Sequence, residues 1–123
     1  MRKRSKSKAT LDKADRALQD WYRRQYPKGK CEICGLPFDV MHHFVPKSQS
    51  KALRFDDEKG NLVFICNGCH FRHHRTANPM IHGTVIKKRG MDWYNNLMDR
   101  QHKEKRDYFG KKELEDIIKR YIT

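Results

Sequence analysis

Cys66-Asn67-Gly68-Cys69-His70-Phe71-Arg72-His73-His74 is the stretch whose reading decides the fold. It opens with a C-x2-C pair, and a second pair, Cys31-Glu32-Ile33-Cys34, stands one small supersecondary unit upstream. In a C-x2-C turn both thiolates point into one cavity, assisted by backbone N–H groups of the turn. Two such turns make a tetrahedral four-sulfur site of the kind zinc takes in structural positions. Four thiolates leave no open coordination position, so this ion is expected to hold the fold and perform no chemistry. A redox dithiol normally stands alone at a strand–helix junction, and two matched pairs argue against it. Nothing else in the chain suggests electron transfer, which argues against an iron–sulfur cluster.

The need for such a staple follows from composition. The chain has 123 residues, 37% hydrophobic and 35% charged, which bounds it to one compact domain with tails and a small core. Zinc binding would add folding free energy that the core lacks. The formal net charge of +13 makes a polyanion the expected partner. Nucleic acid is favoured over a membrane, because no basic helix also carries a broad Trp/Phe/Leu face. No apolar run is long enough to span a bilayer, and no apolar segment follows the basic Met1–Lys8. The expected location is cytoplasmic, where structural disulfides are rare.

Outward from the cysteines, the segments divide as follows. Residues 1–8 read as a disordered basic arm able to touch phosphate non-specifically. Residues 9–27 read as a helix capped by Thr10, with Leu11, Ala14, Leu18, Trp21 and Tyr22 at helical spacing and Pro27 and Gly29 closing it. Residues 28–78 form the zinc-stapled core. In it, Phe38 to Phe44 and Asn61 to Cys66 read as strands, joined by a polar connection from Pro46 to Gly60. A short helix carries His70, His73 and His74. Residues 79–123 read as a helical extension, with one helix from near Met91 burying Tyr94, Leu97 and Met98. A second from near Lys111 buries Leu114, Ile117, Ile118 and Tyr121. Thr76 to Arg89 give no strong signal.

Five of the seven histidines fall in two groups, His42-His43 and His70, His73 and His74. His70 and His74 are one helical turn apart and can chelate one ion. His42 and His43 are neighbours on a strand and point to opposite faces. One can therefore bind metal while the other meets substrate and water. That division suits phosphodiester hydrolysis. A divalent ion polarises the phosphate and stabilises the leaving oxygen. A neutral imidazole, with an ordinary pKa near 6.5, takes a proton from water. Asn61 is a candidate to orient that base through a hydrogen bond. His82 and His102 have no such context.

The segments MHHFVP, GNLVFIC and CNGCHFRHH resemble the HNH endonuclease family, especially members with two C-x2-C pairs on a treble-clef-like ββα-metal core. The likeness covers roughly Lys30 to Arg75. KALRFDDEKGNLVFICNGCH, RGMDWYNNL and KKELEDIIKRY are also similar to phage recombination nucleases of the NinG (Rap) type. That likeness extends over most of the chain, although such proteins usually carry a small residue where this chain has His42. The resemblance implies an α+β fold: a ββα-metal core with a four-cysteine structural zinc, flanked by N- and C-terminal helices. It implies Cys31, Cys34, Cys66 and Cys69 as the structural zinc ligands and His43 as general base. Asn61 would be the central Asn, and His42, His70 and His74 the ligands of a catalytic Mg2+, Mn2+, Ni2+ or Zn2+, with His73 the rival to His74. Arg72, Arg75, Lys47 and Arg54 are candidate phosphate contacts.

The function this implies is metal-dependent hydrolysis of DNA, duplex or branched, leaving 5′-phosphate and 3′-hydroxyl ends. A homodimer or a phage DNA-processing complex is the assembly expected with it, and a phage or prophage the expected origin. The competing expectation is a non-catalytic zinc module that binds DNA or a partner protein.

Overall fold

In the computed structural model the backbone is described over residues 2–76, 80–106 and 108–122, and the side chains over 8–73, 81–106 and 108–122. Five helices and one two-stranded antiparallel sheet are found among them: α1 Arg2–Gln25, β1 Val40–His43, β2 Leu62–Ile65, α2 Asn67–Thr76, α3 Met80–Arg89, α4 Met91–Lys103 and α5 Lys111–Ile122. The class is the expected α+β, and β1, β2 and α2 follow one another in ββα order. No helix among the described residues is long and apolar enough to cross a membrane.

The chain separates into two units. The first combines Met1–Pro27 with Arg106–Thr123 and consists of α1 and α5. Ala14, Leu18 and Tyr22 recur every fourth residue on α1 and are buried, as are Leu114, Ile117 and Tyr121 on α5. The Trp21 and Tyr121 rings meet edge-on at 5.8 Å, and the Arg24 guanidinium donates to the Tyr121 carbonyl at 2.6 Å. The helix begins at Arg2, inside the stretch read from sequence as a disordered arm, so Thr10 lies in its interior and does not cap it. Lys, Arg and Ala are good helix formers, and charge alone does not prevent the helix from extending.

The second unit is Lys28–Lys105. It therefore reaches beyond the core boundary at residue 78 expected from sequence and takes in α3 and α4. The first cysteine turn is a tight hairpin: Lys30 bridges Pro37, Cys31 N–H donates to the Leu36 carbonyl at 2.6 Å, and Phe38 N–H donates to Gly29 at 3.1 Å. The strands pair with Val40 opposite Ile65 and His43 opposite Leu62. They are shorter at both ends than the sequence suggests, although Asp39 N–H still donates to the Ile65 carbonyl at 3.0 Å while its carboxylate accepts the Asn67 N–H at the start of α2, at 2.6 Å.

One apolar cluster joins Phe44, Val45, Leu53, Val63, Val85 and Leu97. Another joins Ile65, Ile81 and the buried cysteines. α3, the element without a strong sequence signal, contributes Ile81 and Val85 to these clusters. It ends at Gly90, whose φ of 100° lies in the region that side chains avoid. Gly90 N–H closes α3 on the Ile86 carbonyl at 2.7 Å, and its own carbonyl accepts from Tyr94 at the start of α4.

Glu32 ties these parts together. Its backbone N–H donates to the Phe64 carbonyl at 2.9 Å, and its carboxylate accepts the Phe64 N–H at 2.8 Å. The same carboxylate takes a two-pronged pair from Arg89, at 2.8 Å on each oxygen. Arg89 also donates to the carbonyls of Gly60 and Leu62. The first cysteine turn, β2 and the end of α3 are thus fastened at one residue.

Candidate metal and catalytic centre

The two cysteine turns bring Cys31, Cys34, Cys66 and Cys69 together, with every sulfur within 4.8 Å of the others. Cys31, Cys66 and Cys69 are buried and Cys34 is exposed; none is in a disulfide. The Cys34 and Cys66 sulfurs are 3.6 Å apart. Backbone N–H groups of Ile33 and Cys69 point at the sulfurs of Cys31 and Cys66, each at 3.4 Å. Burial pushes the Cys31 thiol up, but N–H groups of Cys34, Cys66 and Ile33 outweigh it and bring the pKa down to about 7. Burial pushes the Cys69 thiol up to about 12, with the Arg72 guanidinium working against it. Four convergent sulfurs in a desolvated pocket are the donor set that suits a structural zinc.

A second convergence brings together histidines of β1, α2 and α3. The pleat of β1 sends His42 toward α2 and α3 and His43 the opposite way. The His42 ring lies 5.4 Å from that of His70, 4.8 Å from His73 and 5.7 Å from His82. His73 and His82 are 4.9 Å apart. His42, His73 and His82 each offer a ring nitrogen, and these nitrogens all lie within 4.8 Å of one another. The Nε2 atoms of His42 and His82 are 3.4 Å apart.

His42 is 6% exposed. Burial first, then the neighbouring rings of His73, His70, His82 and His43, depress its pKa to about 3. Burial, and then His73, lower that of His82 as well. These two rings are neutral at ordinary pH, the state in which imidazole binds metal.

The sequence reading names His42, His70 and His74, with His73 as the rival to His74; His42 and that rival are in the converging group, and His82 joins them. His70 is beside His42, but His73 and His82 complete the group whose nitrogens converge. The His74 side chain lies outside the described residues. The sequence alone assigns nothing to His82, which stands in a stretch without strong periodicity. The signal available was Ile81 and Val85 one turn apart, which marks a buried helical face.

His43 is half-buried, and its Nε2 lies 2.7 Å from the Arg54 carbonyl oxygen. A carbonyl only accepts, so Nε2 carries the proton and the neutral ring keeps its lone pair on Nδ1. Asn61 is fully buried. Contrary to the sequence reading, its amide does not bond to His43. The oxygen accepts the Val45 N–H at 2.6 Å, and the nitrogen donates to the carbonyls of Val45 and Leu53, each at 3.1 Å. Asn61 therefore fixes the chain leaving β1 and the turn before Arg54, and through them the carbonyl that holds His43.

Of the candidate phosphate contacts, Lys47 is exposed. Arg54 is half-buried with its guanidinium 6.0 Å from the Phe55 ring centroid. Arg72 donates to the Cys69 sulfur at 3.2 Å, so it serves the cysteine cluster, where thiolates attract a cation. The Arg75 side chain lies outside the described residues.

The family model described as HNH endonuclease matches residues 31–76, from the first cysteine to the end of α2. A mitochondrial DNA mismatch repair protein mutS homolog from Sarcophyton glaucum is 45% identical over 56 residues, which are 44% of this chain and 6% of that protein. The chain thus spans a small fraction of that relative's length. No solved structure matches the chain. The cysteine turns, the His42-His43 strand and the histidine-bearing α2 all fall inside the segment, residues 31–76, that matches the HNH endonuclease model.

Proposed function

We propose that the protein is a metal-dependent endonuclease that hydrolyses DNA phosphodiester bonds. The observation that carries this reading is the division of labour on β1. His42 faces three other imidazoles, while its neighbour His43 faces away with its tautomer set by the Arg54 carbonyl. His42, with histidines of α2 and α3, would hold a divalent cation, and that ion when bound supplies charge to the scissile phosphate and the leaving oxygen. His43 accepts a proton from the attacking water at Nδ1, and the Arg54 carbonyl steadies the ring as it becomes positive. Asn61 keeps that carbonyl in place. Cys31, Cys34, Cys66 and Cys69 would hold a structural zinc. The net charge of +13 draws the chain to DNA and gives affinity that falls with salt.

The relative's printed name concerns DNA mismatch repair, and a likeness to recombination nucleases is an expectation of the sequence reading. Both support a substrate with a junction, flap or mismatch over plain duplex. The test is plasmid nicking across a panel of divalent metals, with wild type beside His43→Ala. Loss of a general base should lower the rate ~10²–10⁴-fold while folding and DNA binding survive. Equal cutting by both proteins would refute the assignment. Absence of cutting with every metal would favour the second reading, a non-catalytic zinc-stabilised module that binds DNA or a partner, which the cysteine cluster alone would support. Cleavage of Holliday junctions, flaps and linear duplex at matched concentration then tests the substrate preference.

A further inference from the structure

We infer that His82 is the third protein ligand of the centre's cation, beside His42 and His73, and that this imidazole set selects zinc, nickel or cobalt over magnesium. The inference rests on the proposed reading only in taking the histidine pocket as a metal site.

His82 belongs to α3, outside the segment that matches the family model. Its place beside the other two rings is built in. Ile81 and Val85 on either side of it in α3 are buried in two different clusters. At its far end α3 is held by the pair of Arg89 with Glu32. The His82 ring lies against Phe44, with centroids 4.2 Å apart and planes 30° apart, which limits its rotation. Phe44 directly follows the His42-His43 pair, so the strand that supplies one ligand also backs the other. This is how ligand rings are oriented for binding, with packing and not the ion itself setting their direction.

The donor chemistry decides the metal. The group of nitrogens within 4.8 Å contains no carboxylate among the described residues. Magnesium requires oxygen ligands in near-octahedral array and gives up water reluctantly. Imidazole suits zinc, nickel, copper and iron, and for nitrogen sites affinity rises from manganese toward copper. Three protein ligands also leave a position for water or a phosphate oxygen, as in catalytic sites and unlike the closed cysteine site.

The experiment is calorimetric titration of the full chain, its cysteine site already filled with zinc, with Ni2+ and separately with Mg2+. Wild type should take up one Ni2+ per chain and bind Mg2+ far more weakly. His82→Phe keeps a ring against Phe44 but removes the donor, and should weaken Ni2+ binding by on the order of tenfold or more. His82→Asp restores a donor of oxygen type and should recover binding while moving the preference toward Mn2+ and Mg2+. If His82→Phe loses the fold by circular dichroism, the shift in preference with His82→Asp decides alone. Wild-type affinity for Ni2+ in His82→Phe, an unchanged metal preference in His82→Asp, or equal wild-type affinities for Mg2+ and Ni2+ would overturn the inference. Nickel uptake that depends on His82, without nicking in any metal, would sink the nuclease reading and leave the ligand assignment standing. Nicking that depends on His43, with nickel affinity unaltered by His82→Phe, would do the reverse.

Discussion

The side-chain amide of Asn61 donates to the Leu53 carbonyl at 3.1 Å, one residue before the Arg54 carbonyl that meets His43. The residue that the HNH resemblance would make the central Asn is here a backbone fastener, one residue removed from the carbonyl that meets His43. Asn61→Ala would leave the Val45 N–H and two carbonyls buried without this partner, at about 1–3 kcal/mol for each group that water cannot reach. We expect a lower urea midpoint and slower nicking together. His43→Ala should slow nicking with the midpoint held. An Asn61→Ala protein as stable as wild type but inactive would show that Asn61 acts on the reaction directly.

Arg89 is the second fastener. It pairs with Glu32 through both carboxylate oxygens, donates to two carbonyls, and lies with its guanidinium 5.0 Å from the Trp93 ring centroid. Both side chains are largely enclosed, at 13% and 19% exposure. Removing one partner of such a pair strands the other, so Arg89→Ala should cost about 3 kcal/mol. Arg89→Lys should recover little, because an ammonium cannot span both oxygens and the carbonyls at once. Thermal melts of these two variants check this, and a lysine variant as stable as wild type would contradict it.

The same contacts explain what could be read in advance. The cysteine spacing, the paired histidines and the two strands are local signals, and the ββα order followed from them. So did the α+β class. What could not be read rests on contacts between residues far apart in the chain. Met80–Arg89 carries Gly83, Thr84 and only short apolar stretches, and it is held in place by Glu32 in the first cysteine turn. His82 therefore had no visible partner. Asn61 looked like a partner for the base because the distance from its amide to the Val45 and Leu53 backbone is set by a fold in the Pro46–Gly60 connection. For Arg72 the helical repeat does carry the signal, since Cys69 stands three residues before it on the same face of α2, and a cluster of sulfurs competes with phosphate for its guanidinium.

Removal of zinc should act on residues 28–105. The three buried cysteines would be left with polarised sulfurs and no cation, and Ile65 and Ile81 pack against that cluster. A strong chelator should abolish the near-ultraviolet signal of Trp93, and zinc in slight excess should restore it. Cys69→Ser should imitate the chelator. A Trp93 signal indifferent to both would mean that the four sulfurs hold no structural ion.

Gly60 gives the most exacting test of how the start of β2 is held. The Asp56 carboxylate accepts the Asn61 N–H at 2.8 Å and a two-pronged pair from Arg100 at 3.0 and 3.1 Å. A Cβ on Gly60 would run into the Asp56 carboxylate oxygen and come within 2.9 Å of the Arg100 guanidinium. Gly60→Ala must therefore push the carboxylate away from both of its partners, and overpacking of this kind costs about 1–3 kcal/mol. Because the Asn61 backbone is one of those partners, nicking should fall as well. Asp56→Ala removes the same bonds by another route and also removes the atom that a Cβ would strike. The two substitutions combined should then cost little more than Asp56→Ala alone, a clear departure from additivity. Fully additive losses in urea denaturation would mean that Gly60 is needed for a reason other than the approach of Asp56.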